Sequence, residues 1–329
     1  MRTKILGRTG IEVSIVGLGA ATLGIPTLDL LSTEYGPENT WKPCMDLGLG
    51  VSTVITALEA GVTLIDTAPR YGKGMSEKII RTAFSMIRPD LGDKCTVTTK
   101  VGYDIDGGEL RYDASYDAVM RSVEGSQRRL GQDHFRIVYL HDPMGQDMEF
   151  VLNNPGGALA ALRTLQKQGV VDFIGVAAND PETNADYIET GEFDAAVVPN
   201  AWTLINQKAA KRILPAAVKH NVGLVVASSI ERGLLTKAPI RDSYFAREFP
   251  KECLDQVRKM KELCGRYGIS LTMAALQWCA RHSHVATVIP GARLPGEAWT
   301  NTAAGDCEIS EEFWEEFEPL VRHWDYKGC

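Results

Sequence analysis

Asp66 and Tyr71 stand five positions apart in the run Val62-Thr63-Leu64-Ile65-Asp66-Thr67-Ala68-Pro69-Arg70-Tyr71-Gly72. A short apolar run ends in a carboxylate, and a proline-containing turn leads on to a tyrosine. A tyrosine can give a proton to a carbonyl or alkoxide oxygen if a nearby cation lowers its pKa from about 10. Two further apolar runs end in ionisable residues: Cys95-Thr96-Val97-Thr98-Thr99-Lys100, and Ile137-Val138-Tyr139-Leu140-His141 before Asp142-Pro143. Strand ends on a rigid scaffold are common mounts for catalytic groups. A lysine buried at such an end needs a partner, and Asp66 is the available one. The ammonium beside Tyr71 would lower the phenol pKa, and His141 would orient a substrate carbonyl. Singly, each residue has a plainer reading: a turn-former or cap, a surface lysine, a loop aromatic. Their joint placement on three consecutive apolar runs points to chemistry.

The elements that must position them alternate. Apolar runs rich in Val and Ile occur at 15–19, 62–66, 95–100, 136–141, 171–177, 194–199, 222–228 and 285–289. They are continuous rather than alternating, as suits strands buried on both faces. Helical patterns lie between them at 51–60, 76–87 (Ser76 as N-cap), 115–130, 155–168 (ending at Gly169), 181–190 (Asp180 as N-cap) and 209–219. Two more, 251–267 and 271–281, are split at Gly268. Eight strand–helix units predict a closed (β/α)8 TIM barrel as a single domain over 1–329. Lys4-Ile5-Leu6 and Glu12-Val13-Ser14 flank Gly7-Arg8-Thr9-Gly10 and predict an N-terminal β-hairpin. The competing architecture is a doubly wound dinucleotide domain, because Gly17-Leu18-Gly19 begins a G-x-G-x-x-G pattern. The pattern lacks its third small residue and the immediate helix that would carry a pyrophosphate. Two segments interrupt the alternation: a long loop at 28–50 with Tyr35, Trp41 and Cys44, and the stretch 306–329 with a helical Ser310–Trp324. Loops of this kind shape a barrel's pocket, and Trp41 and Trp324 are candidates to line it.

The 329 residues are 44% hydrophobic and 23% charged, with a formal charge of −7, an ordinary globular composition. No basic stripe marks a nucleic-acid footprint, and no apolar run reaches the ~18 residues of a membrane span. The seven cysteines are widely spaced without C-x-x-C. The N-terminus has no signal-peptide core, so reduced thiols in a cytoplasmic protein are expected. The pair His282 and His284 lacks a third ligand, and no metal is expected. Phe313, Trp314 and Phe317 read as helix packing.

Motifs along almost the whole chain resemble the aldo-keto reductase family. They are the hairpin Gly7–Gly10 with Glu12-Val13-Ser14; Asp66–Gly72 followed by Ser76-Glu77; Thr98-Thr99-Lys100; Ser122-Val123-Glu124 through Arg128-Arg129-Leu130-Gly131 to Tyr139-Leu140-His141; Ile174–Asn179; and Val288-Ile289-Pro290-Gly291-Ala292 leading to Asn301. The resemblance implies a barrel that binds an extended nicotinamide dinucleotide. It implies Tyr71 as general acid/base, Lys100 and Asp66 as tuners of its pKa, and His141 as the carbonyl-orienting group. Hydride would pass between nicotinamide and the substrate carbon. The layout is most similar to the branch of aldose 1-dehydrogenases, which oxidise sugars to lactones, and of pyridoxal 4-dehydrogenase.

The implied cofactor contacts are Asn179, Trp202, Ser228, Arg232, Gly233, Leu235, Gly291, Arg293, Glu297 and Asn301. There are departures. Ala178 stands where the family often has Ser, and Pro199 where it has Gln. Trp202 replaces a stacking Tyr, though its flat face would still cover a nicotinamide ring. Ser229 and Glu231 replace Pro and Gly in the pyrophosphate loop. A 2′-phosphate demands cations. Arg293 is available, whereas Glu297 falls where many NADP-dependent members carry Arg. The balance leans to NAD with NADP open. Glu297 also reads simply as a first-turn helix residue favoured by the dipole. Arg70 is the unusual residue of its segment and a candidate substrate contact.

The expected activity is NAD(P)-dependent oxidoreduction of a small-molecule carbonyl or sugar, by a monomer or small homo-oligomer. Two other classes stay open: a Schiff-base aldolase with Lys100 as nucleophile, and a non-catalytic, cofactor-binding partner subunit.

Overall fold

The computed structural model describes residues 1–23, 47–105, 110–241, 243–244 and 247–328, with the backbone alone at 104 and 243. Eight parallel strands follow one another around a barrel in chain order: Leu18–Gly19, Leu64–Asp66, Thr96–Val101, Phe135–His141, Val171–Ala177, Ala195–Pro199, Gly223–Ala227 and Val285–Ile289. Their ladders are parallel throughout. Bridges Val16–Val288 and Gly19–Gly291 join the first strand region to the last. All eight expected strands form, each helix-like pattern contains a helix, and the eight-unit TIM barrel is the observed fold.

The Gly17-Leu18-Gly19 run marks this closure, not a dinucleotide turn. A Cβ on Gly17 would lie 2.7 Å from the Leu64 carbonyl oxygen, and one on Gly19 would lie 2.6 Å from that of Ile289. The Gly17 amide instead donates to the Val288 carbonyl at 2.8 Å, and the Gly19 amide to that of Pro290 at 3.1 Å. Side chains at either position would hold the edges apart.

The N-terminal hairpin forms as expected, with Thr3–Ile5 antiparallel to Glu12–Ser14. It plugs the barrel. Leu6, Ile11 and Val13 are buried and share a cluster with Leu64, Ile137, Tyr139, Val197, Val225 and Ile289. The helices bury apolar faces against the outside of the strands in a larger cluster. An apolar floor below leaves the opposite, C-terminal strand ends as the place for polar side chains.

Local signals explain several helix ends. Asp180 caps Pro181–Glu189 by accepting the Thr183 amide at 2.8 Å, and Ser115 caps Tyr116–Leu130. Ser76 is not a cap: the helix Met75–Met86 starts before it. Its hydroxyl is buried, bonded to the Thr67 hydroxyl at 2.8 Å and donated to the Ala20 carbonyl at 2.9 Å. It thereby ties the loop after the second strand to the end of the first. The helix expected over Ser310–Trp324 stops at Phe317, because Pro319 has no amide to continue the ladder. Phe313, Trp314 and Phe317 pack inward there. The first β–α helix, Leu47–Glu59, begins inside the loop expected over 28–50. Tyr35, Trp41 and Cys44 lie outside the described residues.

Candidate active site

Three adjacent strands bring the four ionisable residues together. Asp66 ends the second strand, Lys100 sits near the end of the third, and His141 ends the fourth. Ladder pairing aligns Asp66 with Thr98 and Lys100 with Tyr139. Lys100 Nζ donates to Asp66 Oδ2 at 2.6 Å and to the Thr67 carbonyl at 2.8 Å, while Thr98 donates to Asp66 Oδ1 at 3.0 Å. Asp66 and Lys100 are both buried, so the pair survives only because each charge is paired and hydrogen-bonded. Lys100 Nζ also lies 4.8 Å from the centre of the Tyr71 ring. The His141 ring meets Tyr71 edge-on at 5.8 Å.

The electrostatics differ from expectation in one sign. Burial pushes the Tyr71 hydroxyl above its ordinary pKa; the charge and hydrogen bond of Lys100 pull the other way without reversing it, and Asp66 adds to the rise. Lys100 was expected to bring the net value down. Its opposing effect is present, but desolvation of a buried phenolate is larger. The Lys100 ammonium itself is favoured: burial works against it, and Asp66 with Tyr71 outweighs the burial. His141 is pushed well below the ordinary imidazole pKa, first by burial and then by the Lys100 and Arg70 cations. The site at neutral pH therefore holds a protonated tyrosine, a charged lysine and a neutral histidine.

Arg70 joins this group. Its Nη1 donates to Tyr103 Oη at 3.1 Å and to Asp142 Oδ2 at 3.2 Å, and the guanidinium lies 4.7 Å from the Tyr103 ring centre. Tyr103 belongs to a hairpin, Tyr103–Asp104 with Arg111–Tyr112, that follows the third strand. Its ring meets His141 at 5.3 Å. Asp142 was not singled out from the sequence, although it directly follows His141. It has φ +48° and accepts the backbone and side-chain amides of Asn179 at 2.9 and 3.1 Å. Its Oδ2 lies 3.7 Å from His141 Nε2. Burial raises its pKa, against Asn179 and Arg70.

From Asn179 the polar chain runs onward. Asn200 donates to Asn179 Oδ1 at 3.1 Å, and Arg247 donates to Asn200 Oδ1 and Glu231 Oε2. Glu231 also accepts from Thr203 at 2.5 Å and Tyr326 at 2.9 Å. Glu231 and Arg247 are both fully buried. Burial raises the Glu231 pKa, with Arg247 opposing. This pair was not legible as a unit, since Arg247 lies in a short hairpin distant from the turn that carries Glu231.

The remaining expected contacts divide. Ser228, Glu231 and Arg232 hold left-handed φ of +59°, +48° and +51° in the turn after the seventh strand, and Arg232 is exposed. Gly233 follows at φ +104°. The buried Leu235 uses its amide within the turn, on the Ile230 carbonyl. After the eighth strand, Asn301 donates to the Gly291 carbonyl at 3.3 Å. Glu297 accepts the Arg293 amide at 2.8 Å and sits 3.7 Å from its guanidinium. Trp202 is not brought to the four residues. Its indole stacks on Trp278 at 4.8 Å and donates to the Cys279 carbonyl at 3.2 Å. Trp324 packs beneath Arg322, whose guanidinium lies 3.7 Å from its ring centre. From the same segment it is Tyr326 that reaches the polar chain.

The fit of a dinucleotide cofactor shows in the polar atoms that the protein leaves unpaired. Ser229 Oγ and Arg247 Nε are buried without a hydrogen-bond partner among the described residues. Both lie in or against the segment that the resemblance assigns to the pyrophosphate. Unpaired buried donors are costly, and phosphate oxygens would satisfy them. The residues present fit the group.

Residues 48–322 match the model of the aldo/keto reductase family. The chain belongs to this family. It is 29% identical to a D-threo-aldose 1-dehydrogenase of a Pseudomonas species, over 93% of this chain and 94% of that one. It is 28% identical to a pyridoxal 4-dehydrogenase of Microbacterium luteolum, with 94% and 95% covered. Among solved structures, the holo form of an aldo-keto reductase from Bacillus halodurans superposes with a TM-score of 0.78 at 22% identity, covering 98% and 97% of the two chains. This aldo-keto reductase is an NAD(P)-dependent oxidoreductase acting on a carbonyl or alcohol group. Among the described residues no helix is long and apolar enough to cross a membrane.

The buried Glu231–Arg247 pair generates a stability prediction. Arg247→Met strands a carboxylate and is expected to cost about 3–5 kcal/mol in urea unfolding. The uncharged double variant Glu231→Gln/Arg247→Met is expected to recover most of that loss. Equal losses in the single and double variants would mean that the two charges are not coupled.

Proposed function

We propose that this reductase oxidises the hemiacetal hydroxyl of an aldose, with NAD as acceptor, and runs the reverse reduction through the same groups. The observation that carries the proposal is the convergence of Tyr71, Lys100, Asp66 and His141 on three adjacent strand ends. Likeness to a D-threo-aldose 1-dehydrogenase, and to an L-galactose dehydrogenase of Arabidopsis thaliana at 26% identity over 92% of this chain and 87% of that one, supports the sugar assignment.

Bound nicotinamide supplies or accepts the hydride at its ring carbon. In reduction, neutral His141 donates a hydrogen bond that orients the substrate carbonyl, and Tyr71 delivers its proton to the oxygen as charge develops there. Lys100, held charged by Asp66, stabilises the tyrosinate left behind. In oxidation the proton travels the other way, from the hemiacetal hydroxyl to Tyr71. Asn179 and Asn301 would hold the two ends of the dinucleotide, and Ser229 and Arg247 its phosphates.

The choice of NAD over NADP rests on Glu297. A carboxylate at the first turn of Pro295–Ala303 disfavours a 2′-phosphate and accepts ribose hydroxyls. Likeness to an NADH-specific methylglyoxal reductase of Escherichia coli, 26% identical over 94% of this chain and 95% of that one, points the same way.

Tyr71→Phe is expected to lower kcat by roughly 100-fold or more, with cofactor affinity nearly unchanged in a fluorescence titration. Retained turnover would remove Tyr71 from the mechanism. Glu297→Arg is expected to raise the NADP-to-NAD ratio of kcat/KM by roughly tenfold or more. An unaltered ratio would leave Glu297 a structural residue of the helix's first turn.

A further inference from the structure

We propose that Arg70 is the specificity residue of this site and reads neighbouring hydroxyl groups on the substrate through the open edge of its guanidinium. The inference rests on the oxidoreductase reading above and goes beyond it to the feature of the substrate that is recognised.

A guanidinium carries five N–H donors. Arg70 commits both protons of Nη1, one to Tyr103 and one to Asp142. Among the described residues, nothing accepts from Nε or Nη2. Those two nitrogens form the side-on fork of the group, whose spacing suits a pair of oxygens. The side chain is 32% exposed, whereas the Asp142 that anchors it is 2% exposed. One edge is therefore fixed in the protein while the other remains accessible. Contact with the Tyr103 ring limits rotation of the group. The fork is next in sequence to Tyr71, and Tyr103 and Asp142 both adjoin His141. A substrate whose carbonyl or hydroxyl reaches Tyr71 and His141 would present its neighbouring carbons to Arg70.

The charge of the pair decides between ligands. A fork suits a carboxylate or two adjacent hydroxyls. Asp142 lies 3.2 Å from the guanidinium and cancels most of its field, so an incoming anion gains little and meets the carboxylate as well. Neutral hydroxyl oxygens need only the donors. The ligand class is a polyhydroxylated aldehyde or its cyclic hemiacetal, with a hydroxyl on the carbon beside the reacting one.

The test compares kcat/KM with NAD for an aldose, its 2-deoxy counterpart, the matching uronate and 2-hydroxytetrahydropyran, a cyclic hemiacetal with no further hydroxyls. The enzymes are wild type, Arg70→Met and Arg70→Lys, with NADH binding followed by fluorescence as a check on folding. The wild type should prefer the aldose over the 2-deoxy sugar by roughly ten- to a hundredfold. That ratio should fall to near one in Arg70→Met and take an intermediate value in Arg70→Lys, which keeps the charge and loses the fork. No wild-type preference, an unaltered ratio in Arg70→Met, or a preference for the uronate overturns the inference while leaving the oxidoreductase reading intact. Absence of NAD(P)-linked turnover with all four substrates overturns both.

Discussion

The Lys100–Asp66 ion pair is the interaction on which the rest of the site depends. Both groups are buried, and neither charge would be tolerable alone at that depth. The barrel makes the pair possible by setting the second and third strands in register, so that a carboxylate at one strand end meets an ammonium two residues further along the next. The Thr67 carbonyl and the Thr98 hydroxyl take up remaining hydrogen-bonding capacity. A fixed cation is thus held beside Tyr71 in a place from which water is largely excluded. In such surroundings a charge acts more strongly than in water, which is what the proposed mechanism asks of Lys100 when it has the ammonium stabilise a transient tyrosinate.

A second polar system surrounds the first. It runs from Arg70 through Asp142, Asn179 and Asn200 to Arg247, Glu231 and Tyr326. Its members follow the second, fourth, fifth, sixth and seventh strands and include the C-terminal segment. Most of the loops that would face substrate and cofactor are therefore joined by side-chain hydrogen bonds rather than by backbone ladders. The one buried atom of this network left unpaired among the described residues is Arg247 Nε; the rest of the chain of bonds ties loop to loop. Asp142 is the junction, because its two oxygens serve both Arg70 and Asn179.

Much of this was legible in the sequence, for physical reasons that differ by element. Buried parallel strands read as continuous apolar runs, so the eight strands and the residues ending them could be located without any knowledge of contacts. Asp66, Lys100 and His141 stand out because ionisable residues seldom close such runs. Long-range pairing was not legible. Gly17 and Gly19 begin a G-x-G-x-x-G pattern that fails for want of its third small residue and helix, but the sequence does not reveal what they are for, because their partners, the 288–290 carbonyls, lie at the other end of the chain. Arg247 gave no local sign of its partner Glu231. The stacking of Trp202 on Trp278, which lies on a helix far along the chain, was likewise not legible. The sign of the Tyr71 shift depended on depth of burial, which motif spacing does not contain.

The central claim is that a phenol, not the imidazole, holds the transferred proton, and the pH dependence of both directions tests it most directly. Tyr71 is raised above the ordinary phenol value. Its protonated form, required for reduction, therefore persists through neutral pH, and the unprotonated form required for oxidation grows only as pH climbs. The account predicts that kcat/KM for oxidation rises through the alkaline range without levelling below about pH 10, while reduction stays flat until the same range and then falls. A shared transition in the acid range, below the ordinary imidazole value of about 6.5 because burial and the Lys100 and Arg70 cations lower His141, with both directions flat above it, would contradict it and assign the proton to His141.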